Sequence, residues 1–491
     1  MKNNRPTSLV KLLQTAAEIW PLKNALCCGD TVITYTNLYK KAAAVSLFLE
    51  KQGIKKGDKV LLWYENSFEY YAAFFGVLQH GALIIPVNTF ITPLELLHII
   101  HDSQAVALIV SNVLLPKVPE TTLRIISEDT LKPLDTELAA LEKFTIQEEL
   151  PDAPAVIMYT SGTTGTAKGV VLSSHALLTN ALQGIAALGT TSNDRILIAL
   201  PLFHSLMQNS GLLCPLITGA CCILVSKIDR RNLLQALTHK PTLIVGVPSL
   251  FGLFCLLKTA DFSNVRYFLC GGDVLSEKIC SSFEYIYKRK LCNGYGLTET
   301  APFVSVNLDE TVQKAGDVGR PLDGIRVEIR NELGAVLNSE AIGELWIQGE
   351  NLMLGYYNAP EATAKAIQHG WLNTGDLACL DKNKHIILVG RSKDLIISKG
   401  IKIYPQEIEA ILLTHPDIIH AAVIGKKQED TEIPICYVAT KRKDVDALET
   451  ELKDLCALKL APYKIPKKYI VREELPLTAL GKVAKKDLYE L

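Results

Sequence analysis

A chain of 491 residues is too long for one hydrophobic core, and a formal net charge of −1 gives no global field to draw in nucleic acid or anionic lipid. Its 48% hydrophobic and 21% charged content belong to an ordinary globular protein with a large interior. Twelve cysteines with two adjacent pairs and no CxxC spacing exclude a zinc-ribbon pattern and read as small buried residues in a reducing compartment.

The opening stretch MKNNRPTSLVKLL lacks the apolar run of a signal peptide, so the expected location is cytoplasmic. SLVKLLQTAAEIW has apolar residues at helical spacing. NLYKKAAAVSLFLEKQGIKKGD predicts a helix closed by Gly53, KVLLWY a strand, and SFEYYAAFFGVLQHGALIIPV a helix, a glycine stop and another strand. RILIALPL, ACCILV, PTLIVGVP and VRYFLCGGDVL repeat the apolar-run pattern, which predicts α/β layers around largely parallel sheets. The most apolar segment, Gly211 to Val225, is broken by Pro215 and is too short to span a bilayer. From about Val318 the hydrophobicity alternates with period two between turn residues, which predicts a small antiparallel, barrel-like subdomain. The last hundred residues read as a compact α+β module. The expected division is therefore residues 1–391 and residues 392–491.

The stretch YTSGTTGTAKGV, Tyr159 to Val170, follows the apolar run PAVIM and supplies backbone N–H groups, hydroxyls and one lysine. Those are the parts of a phosphate cradle. The spacing is not that of a Walker A loop, because Gly165 lies three positions before Lys168 and Gly169 stands where Ser or Thr belongs.

This loop resembles the signature of the acyl-adenylate-forming superfamily, and further motifs of that family follow in order. They are PLFH (Pro201 to His204), GYGLTET (Gly294 to Thr300), GELWIQGENLMLGYYN, WLNTGDL (Trp371 to Leu377), GRSKDLIISKGIKIYPQEIE (Gly390 to Glu409) and TALGKVAKKDL. The resemblance covers nearly the whole chain and most closely suits medium- or long-chain fatty acyl-CoA synthetases. It implies a large ATP- and acyl-binding body followed by a small mobile domain.

The family reaction is attack of a carboxylate on the α-phosphorus of ATP, so charge grows on phosphoryl oxygens. The resemblance implies that Thr160, Ser161, Gly162, Thr163, Thr164, Gly165 and Lys168 grip the phosphates, with Thr164 and Lys168 among the catalytic groups. Tyr295 offers a flat face to adenine, Thr298 a hydroxyl to a phosphate oxygen, and Glu299 the hard oxygen that Mg²⁺ prefers. Gly271, Gly272 and Asp273 belong to the adenine-facing loop Cys270 to Val274; the family often carries Gly-Ala-Pro there, so Asp273 and Val274 depart in side chain. Asn293, Gly294 and Gly296 complete the nucleotide set, and Asp376 with Arg391 is expected on the ribose side. Lys482 matches the family's catalytic lysine, whose ammonium would meet charge growing in the transition state. Lys393 matches the hinge residue, and Ser398, Lys399 and Gly400 would border a thiol tunnel.

The expected acyl pocket comprises His204, Met207, Gly211, Val247 and Gly296. FHSLMQNSGLLCPL contains no acid to pair with an amino group, so an alkyl chain is the expected guest. The expected cofactors are ATP, Mg²⁺ and CoA, with a phosphopantetheine carrier such as acyl carrier protein as the rival acceptor and a stand-alone adenylating enzyme as a variant of that reading. A non-catalytic acyl or nucleotide sensor is the remaining alternative, against which the presence of Lys168, Glu299, Asp376, Arg391 and Lys482 counts. Chain length of the acid, oligomeric state and peripheral membrane contact are open at the level of sequence.

Overall fold

The structure, a computed structural model, describes residues 8–132, 146, 150–160, 167–258, 260–309, 316–398, 401–428, 431–478 and 481–489. Two sheets form its larger part. One has seven strands, in the spatial order Gly355–Tyr356, Lys168–Ser173, Pro154–Thr160, Leu83–Pro86, Lys59–Trp63, Ala107–Val110 and Arg124–Ser127. Nine strands make the other, running from Arg320–Pro321 at one edge through Tyr267–Cys270 and Leu243–Gly246 to Thr31–Thr34 at the opposite edge. The strands Ala107–Val110 and Leu243–Gly246 are buried at every position, as parallel strands covered on both faces must be.

The helix Phe68–His80 lies between the sheets, and its sequence explains why. Ten of its thirteen residues are buried, so it has no polar face to offer solvent. The Ser67 side chain caps its start and Gly81, in the left-handed region at φ 82°, ends it. Tyr70 and Tyr71 donate their hydroxyls to Leu202 O (3.1 Å) and Gly211 O (2.9 Å), which ties the helix to the segment following the nine-stranded sheet's Arg195–Ile198 strand. On its other side it meets the helix Tyr35–Lys51 at Gly76, where a Cβ would stand 2.6 Å from Val45 Cβ and 2.7 Å from Ala42 O.

A third, five-stranded antiparallel sheet forms the half-barrel: Arg326–Arg330, Gly343–Gln348, Trp371–Leu380 and Ile367–Gln368 in order, with Ile386–Arg391 paired to Trp371–Leu380. Antiparallel pairing starts earlier than the period-two pattern suggests, because Cys292–Gly296, Phe303–Val306 and Arg320–Pro321 already run antiparallel at the edge of the nine-stranded sheet. The apolar segment broken by Pro215 becomes a π-helical stretch, Gln208–Leu213, then the helix Cys214–Thr218, with Pro215 in that helix's first turn, where its missing N–H costs nothing.

The main apolar interior has Ile386 as its last member, and a separate one begins at Ile396. The latter is built from the helices Pro405–Leu412 and Val445–Lys459 against the three-stranded sheet His420–Gln428, Thr431–Ala439 and Lys468–Arg472. Ile408, Leu412, Val423, Leu448 and Cys456 are fully buried there. No described helix is long and apolar enough to cross a membrane. All twelve cysteines are free thiols.

The contact at Gly76 generates the first prediction. Gly76→Ala should destabilise the protein by roughly 1–3 kcal/mol through overpacking against Val45 and the Ala42 carbonyl, despite alanine's advantage of about 1 kcal/mol in a helix. Denaturant unfolding reads this directly, and an unchanged or raised midpoint would show that the two helices part without cost.

Candidate active site

The strand Cys292–Gly296 leaves the nine-stranded sheet, turns through Thr298–Thr300 and returns as Phe303–Val306. Gly296 permits the turn, since a Cβ there would lie 1.9 Å from Pro302 O. Thr300 is buried and donates its hydroxyl to Pro302 O at 2.7 Å. Its neighbours project instead: Thr298 Oγ1 lies 3.3 Å from Ser205 Oγ, and Glu299 Oε1 accepts a hydrogen bond from the Tyr356 hydroxyl at 2.9 Å. Tyr356 sits on a two-residue strand paired with Lys168–Ser173, and Lys168 Nζ lies 5.4 Å from the centre of its ring. Lys168, Tyr356 and Glu299 therefore form one chain of contacts between the two large sheets.

Burial raises the Glu299 carboxyl above the usual carboxylate range, while the Tyr356 hydroxyl acts in the opposite sense. A divalent cation would reverse that burial effect. Among the described residues no group of three or more His, Cys, Asp or Glu side chains could hold a metal by itself. A single carboxylate on the same chain of contacts as Lys168, the lysine expected at the phosphates, suits Mg²⁺, which takes one or two protein carboxylates and completes its shell with phosphate and water.

Tyr295, on the same strand, donates its hydroxyl to Asp376 Oδ2 at 2.5 Å. Asp376 lies in the half-barrel strand Trp371–Leu380 directly opposite Arg391, whose Nε donates to Asp376 Oδ1 at 3.2 Å. The backbone before Asp376 is held locally. Gly375, at φ 71°, donates its N–H to Asn373 Oδ1, and Asp376 donates its own to Thr374 Oγ1. Both oxygens of Asp376 are thus engaged by protein groups, on the side where ribose hydroxyls were expected.

The loop expected to face adenine follows Tyr267–Cys270. Gly271 donates its N–H to Gly246 O at 3.0 Å, and Gly272 adopts φ 79°. The Gly271 position approaches Gly294 O so closely that a Cβ would stand 3.3 Å from it. Asn293 turns inward: its amide donates to Asp317 O at 2.9 Å, which braces the strand.

Lys482, carried by the second hydrophobic unit, reaches this cleft. Its Nζ lies 3.9 Å from Asp273 Oδ1. Burial lowers the pKa of its ammonium, the Asp273 carboxylate opposes that, and the charges of Arg391 and Asp376 act on it as well. His204 stands on the same side. Its Nε2 is buried without a hydrogen-bond partner and its ring centre is 4.4 Å from that of Phe203. Burial, then the charge of Lys482, push its pKa from 6.5 to about 4, so the imidazole is neutral at neutral pH.

Met207 and Val247 are buried nearby, and Gly211 packs where a Cβ would stand 2.9 Å from Ile198 Cδ1. Lys393 occupies the short turn Ser392–Asp394 between the two apolar interiors, and Ser398 ends the strand Ile396–Ser398. Thr160 closes the strand before the signature loop and pairs with Lys168 across it. Ser161, Gly162, Thr163, Thr164 and Gly165, like Lys399 and Gly400, lie outside the described residues.

Three contributions escaped the sequence reading. Tyr356 lies inside the quoted LGYYN run, but nothing local marks its hydroxyl as the partner of Glu299. The Tyr159 hydroxyl donates to Asp102 Oδ2 at 2.5 Å, and His98 Nε2 lies 3.4 Å from Ala167 O. One helix, Pro93–Ser103, therefore holds both strand ends that border the signature loop.

His204 supplies a pH prediction. Its folded pKa lies below the unfolded value, so its neutral burial stabilises fully above pH 6.5 and that stability is lost as pH falls towards 4. Between those limits the wild type should lose up to about 3 kcal/mol more than His204→Gln. Parallel stability–pH curves for the two proteins would contradict this account of the burial.

Comparison with known proteins agrees with this geometry. The AMP-binding enzyme family matches residues 13–357, and the AMP-binding enzyme C-terminal domain matches residues 407–482. The chain is 31% identical to a long-chain-fatty-acid–CoA ligase of Yersinia pestis, over 99% of this chain and 94% of that protein. It is 32% identical to a feruloyl-CoA synthase of Amycolatopsis sp., over 96% of each. Among solved structures, o-succinylbenzoate coenzyme A synthetase from Bacillus subtilis in complex with ATP and a magnesium ion superposes with a TM-score of 0.88 at 28% identity, over 98% of this chain and 99% of that one. This chain belongs to the AMP-binding enzyme family.

Proposed function

We propose that this protein joins a fatty acid to coenzyme A in two steps at one cleft. In the first, a carboxylate oxygen attacks the α-phosphorus of ATP and pyrophosphate leaves, giving an acyl adenylate. In the second, the thiol sulfur attacks the acyl carbonyl carbon, AMP leaves and the thiol proton is released. Glu299 would hold Mg²⁺, which would offset charge on the nucleotide. Lys168 places a second positive charge beside the phosphates. Tyr295 supplies an aromatic wall for adenine, and Asp376 with Arg391 faces the ribose, where the sugar hydroxyls would share the carboxylate with Tyr295. Lys482 brings an ammonium to the oxygens that gain charge in the first step.

The observation that carries this reading is the placement of Lys482. A side chain from the second hydrophobic unit lies in the cleft of the first, within electrostatic reach of Asp273, Asp376, Arg391 and His204. A fatty acid is favoured by a buried, uncharged pocket side: Met207, Val247 and a neutral His204 supply no negative charge to pair with an ammonium group. The feruloyl-CoA synthase relative gives a second reading, an aryl acid, which the same uncharged wall would admit. CoA is the proposed acceptor in preference to a carrier protein, and the cytoplasm, which supplies ATP and CoA, the proposed compartment.

Pyrophosphate exchange with saturated acids of graded length, ferulate and amino acids tests the substrate class. Fatty acids should support exchange, with CoA and not holo carrier protein releasing AMP. Exchange with ferulate or amino acids alone would overturn the assignment. Lys482→Ala should lower pyrophosphate exchange by roughly 10²- to 10³-fold, the scale of losing one preorganised charge, yet still convert supplied acyl adenylate to thioester. Equal loss of both half-reactions would remove Lys482 from the first step.

We further propose that the chain divides at residues 391/392 and that the smaller part rotates about Lys393 between the two steps. The turn Ser392–Asp394 is the short bridge between the interiors that end at Ile386 and begin at Ile396. Lys393→Pro should then preserve adenylate formation and stop thioester formation. A variant that completes both steps at the wild-type rate would refute the rotation.

A further inference from the structure

Asp273 is one position where this chain departs in charge from the pattern it otherwise resembles. It lies in the adenine-facing loop of the larger unit, yet its partner is on the smaller one: Asp273 Oδ1 is 3.9 Å from Lys482 Nζ. Both side chains are about one-third exposed, so the pair is sheltered without being sealed.

Three neighbouring contacts cross between the units in the same arrangement. Lys278 Nζ donates to Pro416 O at 2.9 Å, Lys402 Nζ meets Glu332 Oε1 at 2.6 Å, and Gly481 approaches Ser249 so closely that a Cβ would stand 3.5 Å from its hydroxyl oxygen. Of these, only the Asp273–Lys482 pair uses a group on which the proposed chemistry depends. The negative charge of Asp273 also reaches His420, on a strand of the smaller unit.

We infer that Asp273 is a positioning residue whose carboxylate stands in for the substrate anions, holding Lys482 in the cleft and the smaller unit docked while no nucleotide is bound. A buried ammonium without a counter-charge is unfavourable, and before substrate arrives the cleft must supply that charge itself. Once the phosphates and the acid enter, they provide stronger anionic partners and Asp273 is relieved of the role. An alanine at this position would leave Lys482 to enter with the substrates.

This inference rests on the proposed role of Lys482, and the test separates the two because it needs no turnover. A donor and an acceptor dye are placed through unnatural amino acids at the exposed residues Tyr285 and Leu458, one on each unit. Single-molecule energy transfer then gives the ratio of docked to undocked protein without ligand. Asp273→Asn is the informative variant, since its side-chain oxygen can still accept the loop's own hydrogen bond from Val274 N, 2.8 Å in the native protein, while the charge is gone. The docked-to-undocked ratio should fall by roughly two- to fivefold, the range of a partly exposed ion pair. Asp273→Glu should restore it, and Lys482→Ala combined with Asp273→Asn should shift it no further than Lys482→Ala alone. An unchanged ratio in Asp273→Asn, or additive shifts in the double variant, would overturn the inference even if Lys482 proves essential for pyrophosphate exchange.

Discussion

One carboxylate, Asp376, joins the parts of this molecule. Through Oδ2 it holds Tyr295 from the edge of the nine-stranded sheet, and through Oδ1 it holds Arg391, the last residue of the half-barrel strand before the turn to the second interior. An acid bonded on both sides holds the sheet edge against the half-barrel: losing it would leave the sheltered Tyr295 hydroxyl unmet, while the Arg391 bond is the more exposed of the two. The segment that follows Arg391 thus departs from a residue tied to the half-barrel.

The residues that could be read from sequence are those whose chemistry is written into a short run. Tyr295, Thr298 and Glu299 sit within five positions, and the turn that displays them needs a glycine at 296 because Pro302 O fills the space of a side chain. Asp376 follows a Thr-Gly pair that shapes its own backbone. Such local constraints survive without knowledge of the fold. The parallel layers were legible for the same reason, since strands such as Ala107–Val110 are apolar throughout and end in turn residues.

What stayed hidden depends on distance along the chain. Tyr356 reaches Glu299 across 57 residues, and Asp102 reaches Tyr159 across the same separation. Tyrosines and aspartates are ordinary surface or core residues until a sheet brings them together, and no spacing rule relates them. The inward turn of the Asn293 amide towards Asp317 O is of the same kind, since a strand residue's neighbours across the sheet decide which way an amide faces. The early antiparallel edge is not legible because neither Cys292–Gly296 nor Phe303–Val306 alternates between buried and exposed positions.

The electrostatics of the cleft follow from its being shared between two interiors. Docking takes charged groups of both units partly out of water: Lys482 on the smaller and Asp273 on the larger. Bringing the units together lets opposite charges offset each other's loss of water, at the modest strength proper to half-exposed pairs. Modest strength suits a catalyst of this kind. A tight ion pair would hold the ammonium against the protein and withhold it from the substrate, whereas a 3.9 Å contact can be exchanged for phosphate and carboxylate oxygens as they arrive. His204 stays neutral beside that ammonium because burial and the neighbouring positive charge act in the same direction. Under the proposed function, the side of the cleft at His204 stays uncharged while the side at Asp273, Asp376 and Arg391 gathers charge, a separation suited to an apolar acid beside a nucleotide.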